Sequence, residues 1–289
     1  LIHKYFLLLS KVHIHPLLWI MIAISVITAN FKPLFLLMII IFVHEMGHAI
    51  SAHFFSWRIK SIMLLPFGGV AEVDEHGNRS LREECIVVLA GPIQHLWLQG
   101  VAFLLYTTHL IHIDDYQLFT FYNLSVLLFN LLPVWPLDGG KLLFIIFSKH
   151  WSYQKAHSYM MMTSIIFLVF YVIAILILSP THLNMWIIST FLIYSLYHEH
   201  KNRMYSCLRF LMERYYGKQT QINLIKPIVV DESELIYHVL LQFQRGCKHL
   251  IIVERNGTKV SEMDENELLH AYFTNKLTDS KVGDLVYDY

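Results

Sequence analysis

Apolar runs long enough to cross a lipid bilayer dominate this chain, and one of them, at 34–55, carries His44-Glu45-Met46-Gly47-His48. As a helix rising about 1.5 Å per residue, that run covers roughly 33 Å, enough for a bilayer core of roughly 30 Å. Backbone polar groups in lipid must be satisfied within the segment, so a spanning run of this kind is a helix. Residues four apart on a helix share one face, a turn along. Both imidazoles can therefore bind one metal ion, with Glu45 beside them as general base toward the attacking water. The spacing predicts metal chemistry set within the membrane.

Further runs of spanning length lie at 14–31, 83–108, 118–147, 159–179 and 184–198. With 55% hydrophobic and 15% charged residues, the chain reads as a polytopic α-helical membrane protein of six transmembrane segments. The first run has no small-residue cleavage site and is followed by others, so it is expected to stay as an anchor. Six crossings put both termini on one side. Under that topology Lys4, Lys11, Arg58, Lys60, Arg79, Arg82, Lys149, Lys155, Lys201 and Arg203 flank one face and only Lys32 the other. The excess places both termini in the cytosol and the loop 109–117, with Asp114 and Asp115, outside. The 22 basic and 22 acidic residues cancel, which removes the electrostatic case for a nucleic-acid partner. Cys85, Cys207 and Cys247 are widely spaced with no CxxC pair and read as reduced thiols.

Two segments break the apolar pattern. At 59–73, Ile62-Met63-Leu64-Leu65 and Val70-Ala71-Glu72-Val73 flank Pro66-Phe67-Gly68-Gly69, the signature of a β-hairpin. Its apolar character predicts a re-entrant element whose open edge could pair with an extended peptide. After about residue 200 hydrophobicity drops. The expected division is a six-span core at 1–200, a linker at 201–219 and a small α/β domain at 220–289. In that domain the strands Ile228-Val229-Val230 and Leu250-Ile251-Ile252-Val253, a turn at Asn256-Gly257 and a helix led by Asp264-Glu265 are legible.

A catalytic zinc usually takes three protein ligands and keeps a position open, so His44 and His48 need a third. The fourth apolar run contains Asn130-Leu131-Leu132-Pro133-Val134-Trp135-Pro136-Leu137-Asp138-Gly139-Gly140. Its prolines and glycines interrupt the helix and leave a carboxylate at membrane depth, where an Asp costs roughly 2.5–3.5 kcal/mol on insertion scales. A divalent cation would offset that cost, which makes Asp138 the favoured third ligand. Lys141, one turn on, could pair with Asp138 instead. His95, His76, His198 and His200 are the rival ligands. Gln94, His95 and Gln99 could line a route for water, or equally could hydrogen-bond between helices.

HExxH in a span followed by NxxPxxxLDG resembles the site-2 protease family of intramembrane metalloproteases. The Ala90-Gly91-Pro92 break in the third span and the Phe67-Gly68-Gly69 hairpin are similar to that family too. The likeness is strongest to members from endospore-forming bacteria, with a six-span core and a C-terminal cystathionine-β-synthase (CBS) domain, and runs through Arg209–Lys218 and Arg245–His249. The resemblance implies that His44, His48 and Asp138 hold Zn2+, that Glu45 is the catalytic base, and that Asn130 and Pro136 shape the substrate groove. It implies a substrate, the membrane-associated pro-form of sporulation sigma factor K, held extended against the hairpin. It also implies ATP at the CBS-like domain, inhibitory sporulation membrane proteins as partners, and residence in the outer forespore membrane; a homo-oligomer is left open. The rival reading of the same residues is a membrane metal transporter or sensor, since His and Asp at membrane depth also mark ion pathways.

Overall fold

The computed structural model describes residues 12–14, 16–27, 31–57, 59–65, 68–73, 79–217 and 224–287. The chain divides into two units: 1–75, 82–142 and 167–192 form the first, and 76–81, 143–166 and 193–289 the second.

In the first unit, strand β1 (Val12–Ile14) leads into helix α1 (Pro16–Ile27) and then α2 (Phe31–Phe54), which carries the HExxH sequence. Pro33 falls in the first turn of α2, where its missing N–H has no intrahelical partner to lose. The helix ends at Phe54. Beyond it Ser56 takes a φ of 59°, and the Trp57 N–H donates to the Ala52 carbonyl at 2.9 Å, which satisfies a terminal carbonyl. Strands β2 (Ile59–Leu65) and β3 (Gly68–Val73) then form the antiparallel hairpin expected at 59–73.

Two details of that hairpin differ from the sequence reading. Gly68 and Gly69 are not turn residues; they open β3, paired with Leu65 and Leu64, while Phe67 lies outside the described residues. A strand that the sequence reading missed, β1, adds to β2 in parallel, giving the order β1-β2-β3. The edge strands of the sheet are therefore β1 and β3, with β2 paired on both sides. Helix α2 lies against both β2 and β3, and Ile59 joins Ala49 and Ala52 of α2 and Val87 in one buried cluster.

Helix α3 (Leu81–Thr107) starts with Glu83 and Glu84 in its first turn, favourable at the positive end of the helix dipole. It runs through Pro92 without interruption, so the expected break at Ala90-Gly91-Pro92 is not a break in the helix. The interrupted fourth run resolves into α4 (Ile113–Asn130), a non-helical stretch 131–137, and α5 (Asp138–His150), which opens on the carboxylate. Next come α6 (Tyr153–Leu178) and α7 (Leu183–Tyr216). Among the described residues, three helices are long and apolar enough to cross a membrane: α2, α3 and α6. Helix α7 continues without a break through most of the stretch expected as a linker at 201–219.

The second unit holds strands β4 (Ile225–Asp231), β5 (Lys248–Arg255) and β6 (Thr258–Asp264) in that order, β4 parallel and β6 antiparallel to β5. Asn256 and Gly257, with φ of 52° and 78°, make the tight turn that two positive φ values require. Helices α8 (Ile236–Leu240), α9 (Glu265–Phe273) and α10 (Val282–Tyr287) complete it. Phe210 and Leu211 of α7 are buried with Phe243, Ile251, Leu268 and Leu269 in one core. The stretch is helical because an apolar stripe there has a partner to pack against, which its polar composition concealed.

A buried ion pair ties α7 to this core. Arg214 donates to Glu265 at 2.6 Å, to the Gln244 carbonyl at 2.9 Å and to the Cys247 carbonyl, while Glu265 also accepts the His249 N–H at 2.7 Å. Burial, then the Arg214 charge, holds His249 below its ordinary pKa. Burial pushes the Cys207 thiol up to about 11, which keeps it protonated and unreactive at neutral pH. Removing one member of a buried pair strands the other charge. Arg214→Leu should therefore cost about 3–5 kcal/mol and show as earlier thermal unfolding and protease cleavage within 224–287; an unchanged melting profile would contradict this.

Candidate metal centre

His44 and His48 sit one turn apart on the buried face of α2, where apolar neighbours on a helix of period 3.6 already face inward. Asp138 is the first residue of α5, and its side chain is buried with theirs. The two imidazole Nε2 atoms lie 3.1 Å apart, and each is 3.1 Å from Asp138 Oδ2. Among the described residues this is the one group of three such side chains whose ligand atoms converge.

The triangle suits a metal ion. Tetrahedral zinc with bonds of about 2.0–2.1 Å holds its ligand atoms about 3.3 Å apart. Three electron-rich atoms at these separations repel one another, and a shared cation reverses the sign of that interaction. The far atom of each ligand is also engaged. The His48 Nδ1–H donates to the Val87 carbonyl at 2.8 Å, which leaves Nε2 with its lone pair toward the centre. Asp138 Oδ1 accepts from Lys141 Nζ at 3.1 Å while Oδ2 faces both histidines. Lys141 pairing and metal ligation, alternatives in the sequence reading, thus use different oxygens. His44 Nδ1 is 3.0 Å from His95 Nε2.

Glu45, between the two histidines in sequence, is buried and acts electrostatically on His48 and Lys141. The rival ligands lie elsewhere. His95 is spent on His44, His198 contacts Asn202, His200 is exposed, and His76 is outside the described residues. Of the residues assigned to the substrate, Asn130 is buried and bonds the Val126 carbonyl of its own helix at 3.0 Å. Pro136 is half-buried in the stretch 131–137, and Gly68 and Gly69 lie in β3.

Absent side chains make the room. A Cβ on Gly91 would stand 2.2 Å from His48 Nε2 and 2.8 Å from His44 Cε1, so the small residue beside Pro92 is what lets the rings occupy that space. A Cβ on Gly139 would stand 2.2 Å from the Leu131 carbonyl oxygen, where the non-helical stretch folds back over the start of α5. The sequence reading singled out both glycines as motif members and missed this steric reason. It also missed Asn123, 2.8 Å from His95 Nδ1; a polar amide in the middle of an apolar run was the signal available.

A helical membrane scaffold with a buried HExxH pair and a third carboxylate defines a class, the membrane-embedded metalloproteases. Comparison with known proteins gives the family: residues 33–114 and 107–171 match the model of peptidase family M50. Stage IV sporulation protein FB of Bacillus subtilis (strain 168) is 49% identical over 287 residues, 99% of this chain and 100% of that one. A zinc metalloprotease of Methanocaldococcus jannaschii is 32% identical over 155 residues, 50% of this chain and 44% of that one. The solved structure of a site-2 protease from Methanocaldococcus jannaschii superposes with a TM-score of 0.51 at 24% identity, covering 65% of this chain and 89% of that chain, a likeness of fold. The chain belongs to peptidase family M50 and is a zinc-dependent intramembrane endopeptidase. The transporter reading is set aside.

Gly91→Ala should displace the imidazole rings and lower retained zinc at least about tenfold, given what ligand orientation contributes to such sites. Metal content of the purified variant checks it, and full zinc occupancy would refute the steric argument.

Proposed function

We propose that His44, His48 and Asp138 hold the zinc and that Glu45 is the catalytic base for hydrolysis of a peptide bond at membrane depth. The observation that carries this reading is the 3.1 Å triangle of Nε2, Nε2 and Oδ2, with Glu45 buried on the same turn of α2. Zinc bound there supplies Lewis acidity, polarising the scissile carbonyl and lowering the pKa of attacking water toward about 7. Glu45 takes the proton from that water as its oxygen bonds to the carbonyl carbon. It then delivers the proton to the amine as the C–N bond breaks. Lys141 keeps Asp138 on its ligating oxygen throughout. Asn130 and Pro136 border the approach, and the outer edge of β3, with Gly68, Gly69 and the adjoining Phe67, takes the substrate as an added extended strand.

The substrate we propose is the membrane-associated pro-form of sporulation sigma factor K, released as an active transcription factor. End-to-end similarity to stage IV sporulation protein FB supports a role in sporulation. The finer topology is six spans with both termini cytosolic, a re-entrant hairpin, and residence in the outer forespore membrane. An ion pair between Lys32 and Asp115 accords with it, since both residues fall on the outer side in that arrangement. Inhibitory sporulation membrane proteins would act on the enzyme from within the same membrane. The proposed division is a core at 1–200, a connecting stretch at 201–219 and a CBS-like domain at 220–289 that contacts the substrate and takes ATP.

Two experiments decide these points. The sigma-factor pro-form co-expressed in a bacterium lacking sporulation proteins should be cut by the intact chain and cut about 10²–10⁴-fold more slowly by Glu45→Gln, the usual span for a general base. Equal cleavage by both chains rejects the role of Glu45, and no cleavage by the intact chain rejects the substrate. Separately, full-length protein titrated with ATP should show saturable binding; a flat titration ends the nucleotide reading.

A further inference from the structure

The far side of His44 opens onto a chain of polar side chains that the metal ligands alone do not account for. Neutral imidazole carries one donor and one acceptor nitrogen. If Nε2 of His44 faces the metal, its proton sits on Nδ1 and is donated to His95 Nε2, 3.0 Å away. His95 must then carry its own proton on Nδ1, where Asn123 Oδ1 waits at 2.8 Å. The Asn123 amide nitrogen donates to the His95 carbonyl at 3.0 Å and to Gln99 Oε1 at 3.2 Å. The Gln99 amide nitrogen in turn donates to Thr120 Oγ1 at 2.9 Å. Each assignment forces the next. His95 of α3 and Asn123 of α4 are both buried, which shields the bonds that join them to each other and to His44.

We propose that His95, held by Asn123, is a positioning residue for the metal centre: it fixes His44 in the Nδ1–H tautomer and at one ring angle. The inference rests on the metal-centre reading above and adds a residue to it. His48 achieves the same through a backbone carbonyl, that of Val87. His44 depends instead on a side chain of another helix, so its orientation is open to substitution. Of Gln94, His95 and Gln99, the latter two are bonded in series through Asn123 to α4 and to His44, which favours the interhelical reading for those two, while Gln94 bonds the Ala90 carbonyl and Trp97.

The test uses full-length protein in detergent micelles, with Zn2+ affinity measured by competition against a chromophoric chelator and the visible spectrum of the Co2+-loaded protein. His95→Leu cannot accept from His44 and should lose about 10–100-fold in Zn2+ affinity with a shifted Co2+ spectrum. His95→Gln offers an acceptor oxygen to His44 and an N–H to Asn123 on one flat group, and should restore affinity to within about threefold and the spectrum with it. If His95→Leu does not fold, Asn123→Ser breaks the chain one bond further out, with a loss of about threefold to tenfold expected. His44→Ala separates the two layers of inference. If wild type binds no Zn2+, or His44→Ala binds as well as wild type, the metal-centre reading fails and the positioning role with it. If His44→Ala abolishes binding but His95→Leu, or Asn123→Ser in its place, matches wild type, the positioning role alone is overturned. Equal losses in His95→Leu and His95→Gln overturn it too, because packing rather than hydrogen bonding would then be the cause.

Discussion

Bringing three electron-rich atoms to 3.1 Å from one another, on side chains that are all buried, is the demand on which the rest of the first unit depends. Two of them cost little to align, because a helix places residues four apart on one face. The third comes from 90 residues away, and its approach dictates backbone. Helix α3 must pass so close to α2 that a Cβ on Gly47 would stand 2.5 Å from the Ala90 carbonyl oxygen and one on Gly91 would enter the imidazole of His48. The stretch 131–137 must fold back so that α5 can begin with the carboxylate rather than carry it mid-helix. The first turn of a helix is also where a carboxylate gains from the dipole. Sequence motif, close helix approach and helix break are thus three consequences of one placement.

Much of that placement was legible in the chain. The HExxH spacing specifies a face, and the prolines and glycines around Asp138 specify a break, because both act through local geometry. What lay beyond the sequence was orientation. His95 read equally well as a ligand, a pore-lining residue or an interhelical bond, since its type fixes its chemistry but not which nitrogen meets which neighbour. Lys141 read as a competitor for Asp138 because spacing cannot distinguish Oδ1 from Oδ2. Gly68 and Gly69 have turn chemistry, yet pairing places them in a strand. Val12–Ile14 is too short and apolar to stand out from the run it adjoins, and becomes a strand only because β2 offers it an edge.

The polar drop after residue 200 was a sound sign of a change of surroundings and a poor sign of where helix ends. Helix α7 runs through it to Tyr216, since Cys207, Phe210 and Leu211 recur at helical spacing and bury together on one side. Arg214 then falls on the same buried side, where a lone guanidinium would be costly. Glu265 and two backbone carbonyls answer it. That network uses all three nitrogens of the fork, so it fixes register more than it adds stability, consistent with the modest net worth of buried ion pairs.

Charge gives the centre its direction. Asp138 and Glu45 are two buried carboxyl side chains set against the single, partly exposed side chain of Lys141. Such a set of side chains suits a divalent cation better than the oxygen of a polarised carbonyl. A divalent ion held there, as proposed, would reverse that preference and favour negative charge developing on the substrate. Burial makes an isolated aspartate expensive, and the same low dielectric would strengthen the pull of a cation held at the proposed centre on a developing negative charge, so the cost of Asp138 and the benefit of a metal there scale together.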